Sequence, residues 1–215
     1  HLISSKGAKK RDKRTTAISE SNLNFLKKNI NNLNNKLFWP SKKINLFYET
    51  SNQKINFLNF KEEKKNLMYI FENDKVKEIL RKKIIKKKIK IIKKNISKLQ
   101  DLDTYDLKIL CLGRKSTIYQ NIIKNRSIDK DYKEVALTGY VRHNFKNLNT
   151  SQFFLKEGPL AILPFSRNDF SFVWSVKKEF IKKDIKSIIT SKINNILKVN
   201  KKVIISNLQS FPLTL

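Results

Sequence analysis

Residues Gly158 to Ser175 restrict the fold more than any other stretch of this chain. They read Gly-Pro-Leu-Ala-Ile-Leu-Pro-Phe, then Ser-Arg-Asn-Asp, then Phe-Ser-Phe-Val-Trp-Ser. Each apolar run has the length of a strand, and the polar residues Ser166 to Asp169 between them favour chain reversal. The stretch therefore predicts an antiparallel hairpin. Pro159 and Pro164 punctuate the first run. Proline has no amide hydrogen to give to a ladder, so its presence suits an edge, a strand end or a bulge.

Around that hairpin the periodicity alternates between helix and strand. Ser19 can cap a helix, with Asn22 in place of the acidic partner of a full capping box. Leu23, Leu26, Ile30 and Leu33 follow at helical spacing, and Trp39-Pro40 ends the run. Ile44, Leu46 and Tyr48, then Ile55 and Phe57, flank Thr50-Ser51-Asn52-Gln53 and predict a hairpin over 43–59. A short apolar run from Asn66 to Phe71 leads into a helix at about 73–86, buried through Val76, Ile79 and Leu80. Ile85, Ile89, Ile92 and Ile96 fit a basic amphipathic helix, while the β-branched content of the same stretch also permits a strand. Asp106 to Gly113 predicts a buried strand entering a turn. Strands are expected over 134–143 and 151–155, a helix over 184–197 and a short strand at Val203 to Ile205. The class is α+β, with antiparallel strands concentrated after residue 130 and no internal repeat.

Charge and cysteine content narrow the function classes. The chain carries 47 Lys plus Arg against 18 Asp plus Glu, a formal charge of +29. Such a field attracts polyanions. The excess is mostly lysine, spread along the chain among abundant Asn and Ile. Clustered Arg with interleaved aromatics would mark a nucleic-acid surface better. We therefore read the charge as compositional and expect no nucleic-acid partner. A basic RNA- or ribosome-associated protein is the alternative. The single cysteine, Cys111, excludes an internal disulfide framework and a cysteine-based zinc site. No apolar run approaches the roughly 18–20 residues that cross a bilayer. The expected location is cytoplasmic, or peripheral at the inner face of a membrane.

Four stretches, in order, resemble the FAD-dependent aromatic hydroxylases of ubiquinone biosynthesis. Arg14-Thr15-Thr16-Ala17-Ile18-Ser19 is similar to that family's "RTTALS" segment. Tyr69-Ile70-Phe71-Glu72-Asn73 resembles "Y-V-E-N-R", with Asp74 where the family has arginine. Asp106, Gly113 and Ser116 resemble D-x5-D-G-x2-S, with Leu112 at the second acidic position. Residues 134 to 215 match nearly continuously, through Val135 to His143, Phe153-Phe154, the Gly158 hairpin and Gln209 to Leu213.

The resemblance implies a partial FAD-binding, Rossmann-like domain interleaved with an antiparallel-sheet substrate domain. The parts expected are 1–42 and 61–128 on the flavin side, 43–60 as a substrate-domain hairpin, and 129–215 as the middle sheet and helix. The family's N-terminal βαβ unit and C-terminal part lie outside these residues, so the chain is expected to be an internal piece. Arg14, Asn73, Gly113 and Ser116 are implied on the flavin side, and Pro159, Leu160 and Pro164 on the substrate side. No side chain is implied as nucleophile or metal ligand. The implied activity hydroxylates the aromatic ring of a polyprenylated phenol with FAD, NAD(P)H and O2, at a membrane or within a ubiquinone-biosynthesis complex. An inactive truncated relative is the further alternative that Asp74 and Leu112 motivate.

Overall fold

The computed structural model describes residues 1–4, 12–31, 33–50, 53–112, 117–123, 131–181, 184–198 and 203–214. In chain order the elements are β1 (Leu2–Ser4), β2 (Thr15–Ile18), α1 (Glu20–Asn29), β3 (Trp39–Ser41), β4 (Lys43–Glu49), β5 (Lys54–Lys61), β6 (Met68–Glu72) and α2 (Asn73–Lys86). There follow β7 (Ile91–Lys93), α3 (Thr117–Ile123), β8 (Asp131–Arg142), β9 (Thr150–Leu155), β10 (Gly158–Pro164), β11 (Asp169–Lys177), α4 (Ile185–Leu197) and β12 (Ile204–Thr214). The chain divides into one unit of Arg11–Arg81 with Asp131–Thr214, and another of His1–Lys10 with Lys82–Lys130 and Leu215.

In the larger unit the Gly158 hairpin is β10–β11, and it occupies the middle of a seven-stranded sheet ordered β12-β8-β11-β10-β9-β4-β5. All pairings are antiparallel except β9 with β4, where Phe47 faces Phe153 in parallel register. Strand β10 is thus interior rather than an edge. Its prolines fit because both sit at strand ends, Pro159 opposite Phe154 and Pro164 opposite Phe170.

Side chains alternate across a strand, so one face of this sheet collects Leu137, Val141, Phe153, Leu160, Ile162, Phe170, Phe172 and Trp174. Helix α4 covers them with Ile189, Ile193 and Ile196. The helix starts where Asp184 accepts the Ser187 amide at 3.2 Å, and stops at Lys198 in left-handed geometry (φ 53°). Lys192 ties it to the sheet through Glu49 (3.2 Å) and Glu157 (3.0 Å).

A second sheet, ordered β2-β6-β3, packs on α1 through Leu23, Phe38, Phe71 and Val76. The Ser19 hydroxyl caps α1 by accepting the Asn22 amide at 3.3 Å. The helix ends sooner than its apolar stripe suggested. Ile30 has extended backbone, and both Ile30 and Leu33 reach the core from beyond the last turn. Segment 15–18, for which the sequence predicts no element, is the strand β2, paired with β6 from Thr15↔Glu72 to Ile18↔Tyr69.

The smaller unit holds the parallel pair β1–β7 (Leu2↔Ile91) and a short 3-10 turn at Leu99–Leu102. The basic amphipathic helix expected through Ile85, Ile89, Ile92 and Ile96 is not formed: α2 ends at Lys86, and Ile91–Lys93 is a strand, as the β-branched content of the stretch allowed. The buried strand expected over Asp106 to Gly113 is not formed among its described residues, and Leu107 and Ile109 are exposed. An apolar run alone does not make a strand without a neighbour to pair with.

At the end of β8, His143 is buried between Phe145 and Phe170. Its Nδ1 accepts the Phe145 amide at 3.0 Å, which leaves the proton of the neutral ring on Nε2, a buried atom without a partner among the described residues. Burial holds its pKa below the ordinary imidazole range, against the pull of the Asp169 carboxylate. Because the folded value is the depressed one, this contribution to stability is complete above the unfolded pKa of about 6.5. It is lost as pH falls through the folded value. The urea midpoint should therefore drop between pH 7.5 and pH 5, and His143→Gln should flatten that drop.

Candidate functional site

The face of the large sheet opposite α4 differs in chemistry from one half to the other. Over β8, β11 and β12 it carries Thr138, Tyr140, Ser171, Ser206, Gln209 and Phe211, as the register requires. Over β4, β5 and β9 it is apolar, with Tyr48, Ile55, Phe57, Phe60 and Phe154 all exposed. Phe57 is the extra residue of a bulge in the β4–β5 ladder, and its ring centre lies 5.9 Å from that of Phe154.

The polar half meets the segment leading into β2. Thr15 and Ser171 share a short hydroxyl–hydroxyl hydrogen bond. Lys13 donates to Asn207 at 2.8 Å, and the Arg14 guanidinium lies 5.1 Å from the Phe211 ring centre. These contacts bring the start of α2 and the sheet face together. Asn73 opens α2; its backbone N–H donates to the Arg14 carbonyl at 2.9 Å, and its side-chain oxygen accepts from Thr16 at 2.6 Å.

Arg14, Asn73 and Lys77 converge on Asp12. Its carboxylate accepts from Arg14 Nε (2.6 Å) and Nη2 (2.8 Å), from Lys77 Nζ (3.0 Å) and from Asn73 Nδ2 (3.2 Å). Side-on pairing with arginine gives two parallel charge-assisted bonds, the strongest arrangement open to a carboxylate. The Arg14 contact, with Lys77 and Asn73 behind it, holds the Asp12 carboxyl far below the usual carboxylate range despite burial. Only 10% of the Asp12 side chain is exposed, while Arg14 keeps 49% and Lys77 58%. Asp74, which follows Asn73, accepts the Asp12 backbone amide at 2.6 Å. Tyr140 lies under this group, stacked obliquely on Phe165 at 4.8 Å. Burial first, then the Glu72, Asp74 and Asp12 carboxylates, push its hydroxyl pKa up, so the phenol stays protonated.

Of the residues implied for a flavin, Arg14 and Asn73 are brought together, both on Asp12. Gly113 and Ser116 lie outside the described residues. Leu112 is exposed. Of the residues implied for a substrate, Pro159 lies on the apolar half-face beside Phe154, whereas Leu160 and Pro164 point to the α4 side and are buried. Asp12, Lys77, Tyr140 and Phe211 were not singled out in the sequence. The Asn73-to-Lys77 spacing, i to i+4 on a helix, was a legible signal for one of them. The donors that a nucleotide phosphate would require from Arg14, Asn73 and Lys77 are held by a carboxylate of the chain itself. In this arrangement the group does not present an open phosphate seat. Among the described residues no cluster of His, Cys, Asp and Glu could hold a metal ion.

No family model matches the sequence, and no curated protein matches it. Solved structures do match the fold. The flavin-dependent halogenase CmlS aligns with a TM-score of 0.60 at 9% identity, over 87% of this chain and 39% of its own. CtdE, solved in complex with FAD and a substrate, gives 0.60 at 9% identity over 99% of this chain and 62% of its own. A geranylgeranyl bacteriochlorophyll reductase-like protein from Thermoplasma acidophilum gives 0.57 at 14% identity over 91% and 54%. The chain thus spans between 39% and 62% of the length of these proteins. Its mixed α and β fold is one shared with part of a flavin-dependent halogenase and of an FAD-bound protein.

Proposed function

We propose that this chain is part of a flavin-dependent oxidoreductase and, more finely, of a monooxygenase acting on the aromatic ring of a polyprenylated ubiquinone precursor. The observation that carries the broader reading is the fold likeness to flavin-dependent and FAD-bound proteins over nearly the whole chain. The finer reading is supported by the sequence words around Arg14, Tyr69 and Gly158. It is also supported by the apolar half-face of Tyr48, Ile55, Phe57, Phe60 and Phe154, a surface suited to an isoprenoid chain. Among the described residues no helix is long and apolar enough to cross a membrane. The lysine-rich composition suits an anionic headgroup layer.

In the proposed reaction one atom of O2 enters the ring as a hydroxyl and the other leaves as water, with two electrons supplied by NAD(P)H. Bound flavin would supply the redox chemistry. The chain's own part is to keep the sheet face dry and to hold the ring over it.

The test is to express the protein from its complete reading frame, purify it, and record its visible spectrum. It should be yellow, and with NAD(P)H and a prenylated phenol the product should gain one oxygen atom by mass. Absence of retained or reconstitutable flavin would sink the oxidoreductase reading. Retained flavin with a halogenated product in the presence of halide, and no hydroxylated one, would replace hydroxylation by the activity of the halogenases that share the fold.

A further inference from the structure

The carboxylate of Asp12 sits where an external oxyanion would be expected. Arg14 offers its side-on pair of N–H groups, Lys77 an ammonium and Asn73 an amide, all within 3.2 Å of that one carboxylate. Guanidinium, ammonium and amide donors around a planar or tetrahedral oxyanion are the standard means of binding carboxylate and phosphate groups. The seat is built rather than incidental. Thr16 fixes the Asn73 side-chain amide so that its nitrogen faces Asp12, Phe211 supports the Arg14 guanidinium, and the Asn73 backbone N–H is tied to the Arg14 carbonyl. The outer sides of Arg14 and Lys77 remain open to solvent.

Asp12 itself is attached differently from the donors. It precedes β2, outside any helix or strand, and its backbone N–H donates to Asp74. Release of the Asp12 side chain would leave Arg14 in place just before β2, and Asn73 and Lys77 in place in the first turns of α2. It would uncover two positive charges whose partner had been a single carboxylate.

We propose that Asp12 is an intramolecular latch. It fills an oxyanion seat formed by Arg14, Asn73 and Lys77, and a phosphate- or carboxylate-bearing ligand takes that seat when Asp12 is displaced. The proposal does not rest on the flavin reading; the seat selects an oxyanion whatever molecule carries it.

The experiment compares the wild-type protein with Asp12→Ala and Asp12→Asn, titrating inorganic phosphate or acetate at constant, physiological ionic strength. Binding is read as thermal stabilisation and by tryptophan fluorescence. Asp12→Ala should bind inorganic phosphate at least about tenfold more tightly than the wild type, with Asp12→Asn intermediate. Adding Arg14→Gln and Lys77→Met to Asp12→Ala should abolish the gain. A preference for phosphate over acetate would identify a phosphate ester as the ligand class, and the reverse a carboxylate. Equal affinity in the wild type and both single variants would overturn the latch. So would a gain that survives loss of Arg14 and Lys77, since that would be nonspecific binding by a basic chain. If Asp12→Ala does not fold, the same comparison is made with Asp12→Asn, which keeps the side-chain shape. Neither arm uses flavin, so failure here is distinct from failure of the oxidoreductase reading.

Discussion

Gly158→Ala should destabilise the larger unit by about 3–5 kcal/mol, combining backbone strain with overpacking. Gly158 begins β10 at φ 128°, a conformation that side-chain-bearing residues rarely adopt. A Cβ there would lie 2.0 Å from the Ser175 carbonyl oxygen, which belongs to β11 and cannot retreat without breaking the ladder. The Gly158 carbonyl also accepts the Trp174 indole N–H at 3.2 Å, so a shift of the turn would expose a buried donor as well. The check is chemical denaturation followed by tryptophan fluorescence. A change below about 1 kcal/mol would contradict the described approach of the two strands.

Phe172→Ala should cost a similar amount, about 3–5 kcal/mol, and lower the melting temperature by roughly 10 °C. Phe172 is fully buried at the centre of the sheet, opposite Gly139 on β8 and Ile162 on β10. Gly139 is small because the Phe172 ring occupies its side-chain space: a Cβ at 139 would lie 2.9 Å from the ring. The two positions are therefore coupled. Gly139→Ala alone should destabilise, and should do so by less in the Phe172→Ala background, where the ring is gone. The nearby Ser206 carbonyl, 3.1 Å from the same Cβ position, will keep the relief partial. A double-mutant cycle with no coupling would mean that the ring is not what excludes a side chain at 139.

Legibility from sequence followed how local each determinant was. The β10–β11 and β4–β5 hairpins, the start of α1 at Ser19 and the span of α2 were readable, because turn residues, a cap and helical spacing lie within a few residues of one another. Strand β2 was not. Thr15 to Ile18 has little periodicity, and its structure comes from a partner, β6, far along the chain. The converse error at Asp106 to Gly113 has the same origin, since strand-like residues there lack a ladder to join. The site was legible only in part for a related reason. Arg14 and Asn73 stood out through their neighbouring words. Asp12 acquires its role when the segment before β2 meets α2, and Phe211 when that segment is laid against the sheet face. Alternation did place Leu160 and Pro164 on one side of β10 and Pro159 on the other, but which side faced α4 required the fold.

The parallel joint between β9 and β4 has a consequence for how the protein emerges during synthesis. The two strands lie about a hundred residues apart, and closing so long a loop has an entropic cost that antiparallel neighbours with tight turns avoid. Strands β8 to β11, α4 and β12 come from one contiguous segment and can assemble by local steps. The β4–β5 hairpin, made earlier, has no partner for its inner edge until Thr150 to Leu155 leaves the ribosome. Throughout that interval its unpaired backbone groups and apolar rings are available to a chaperone or to a second nascent chain. The weak point of this architecture is therefore a period of time, set by translation, rather than a place in the finished sheet.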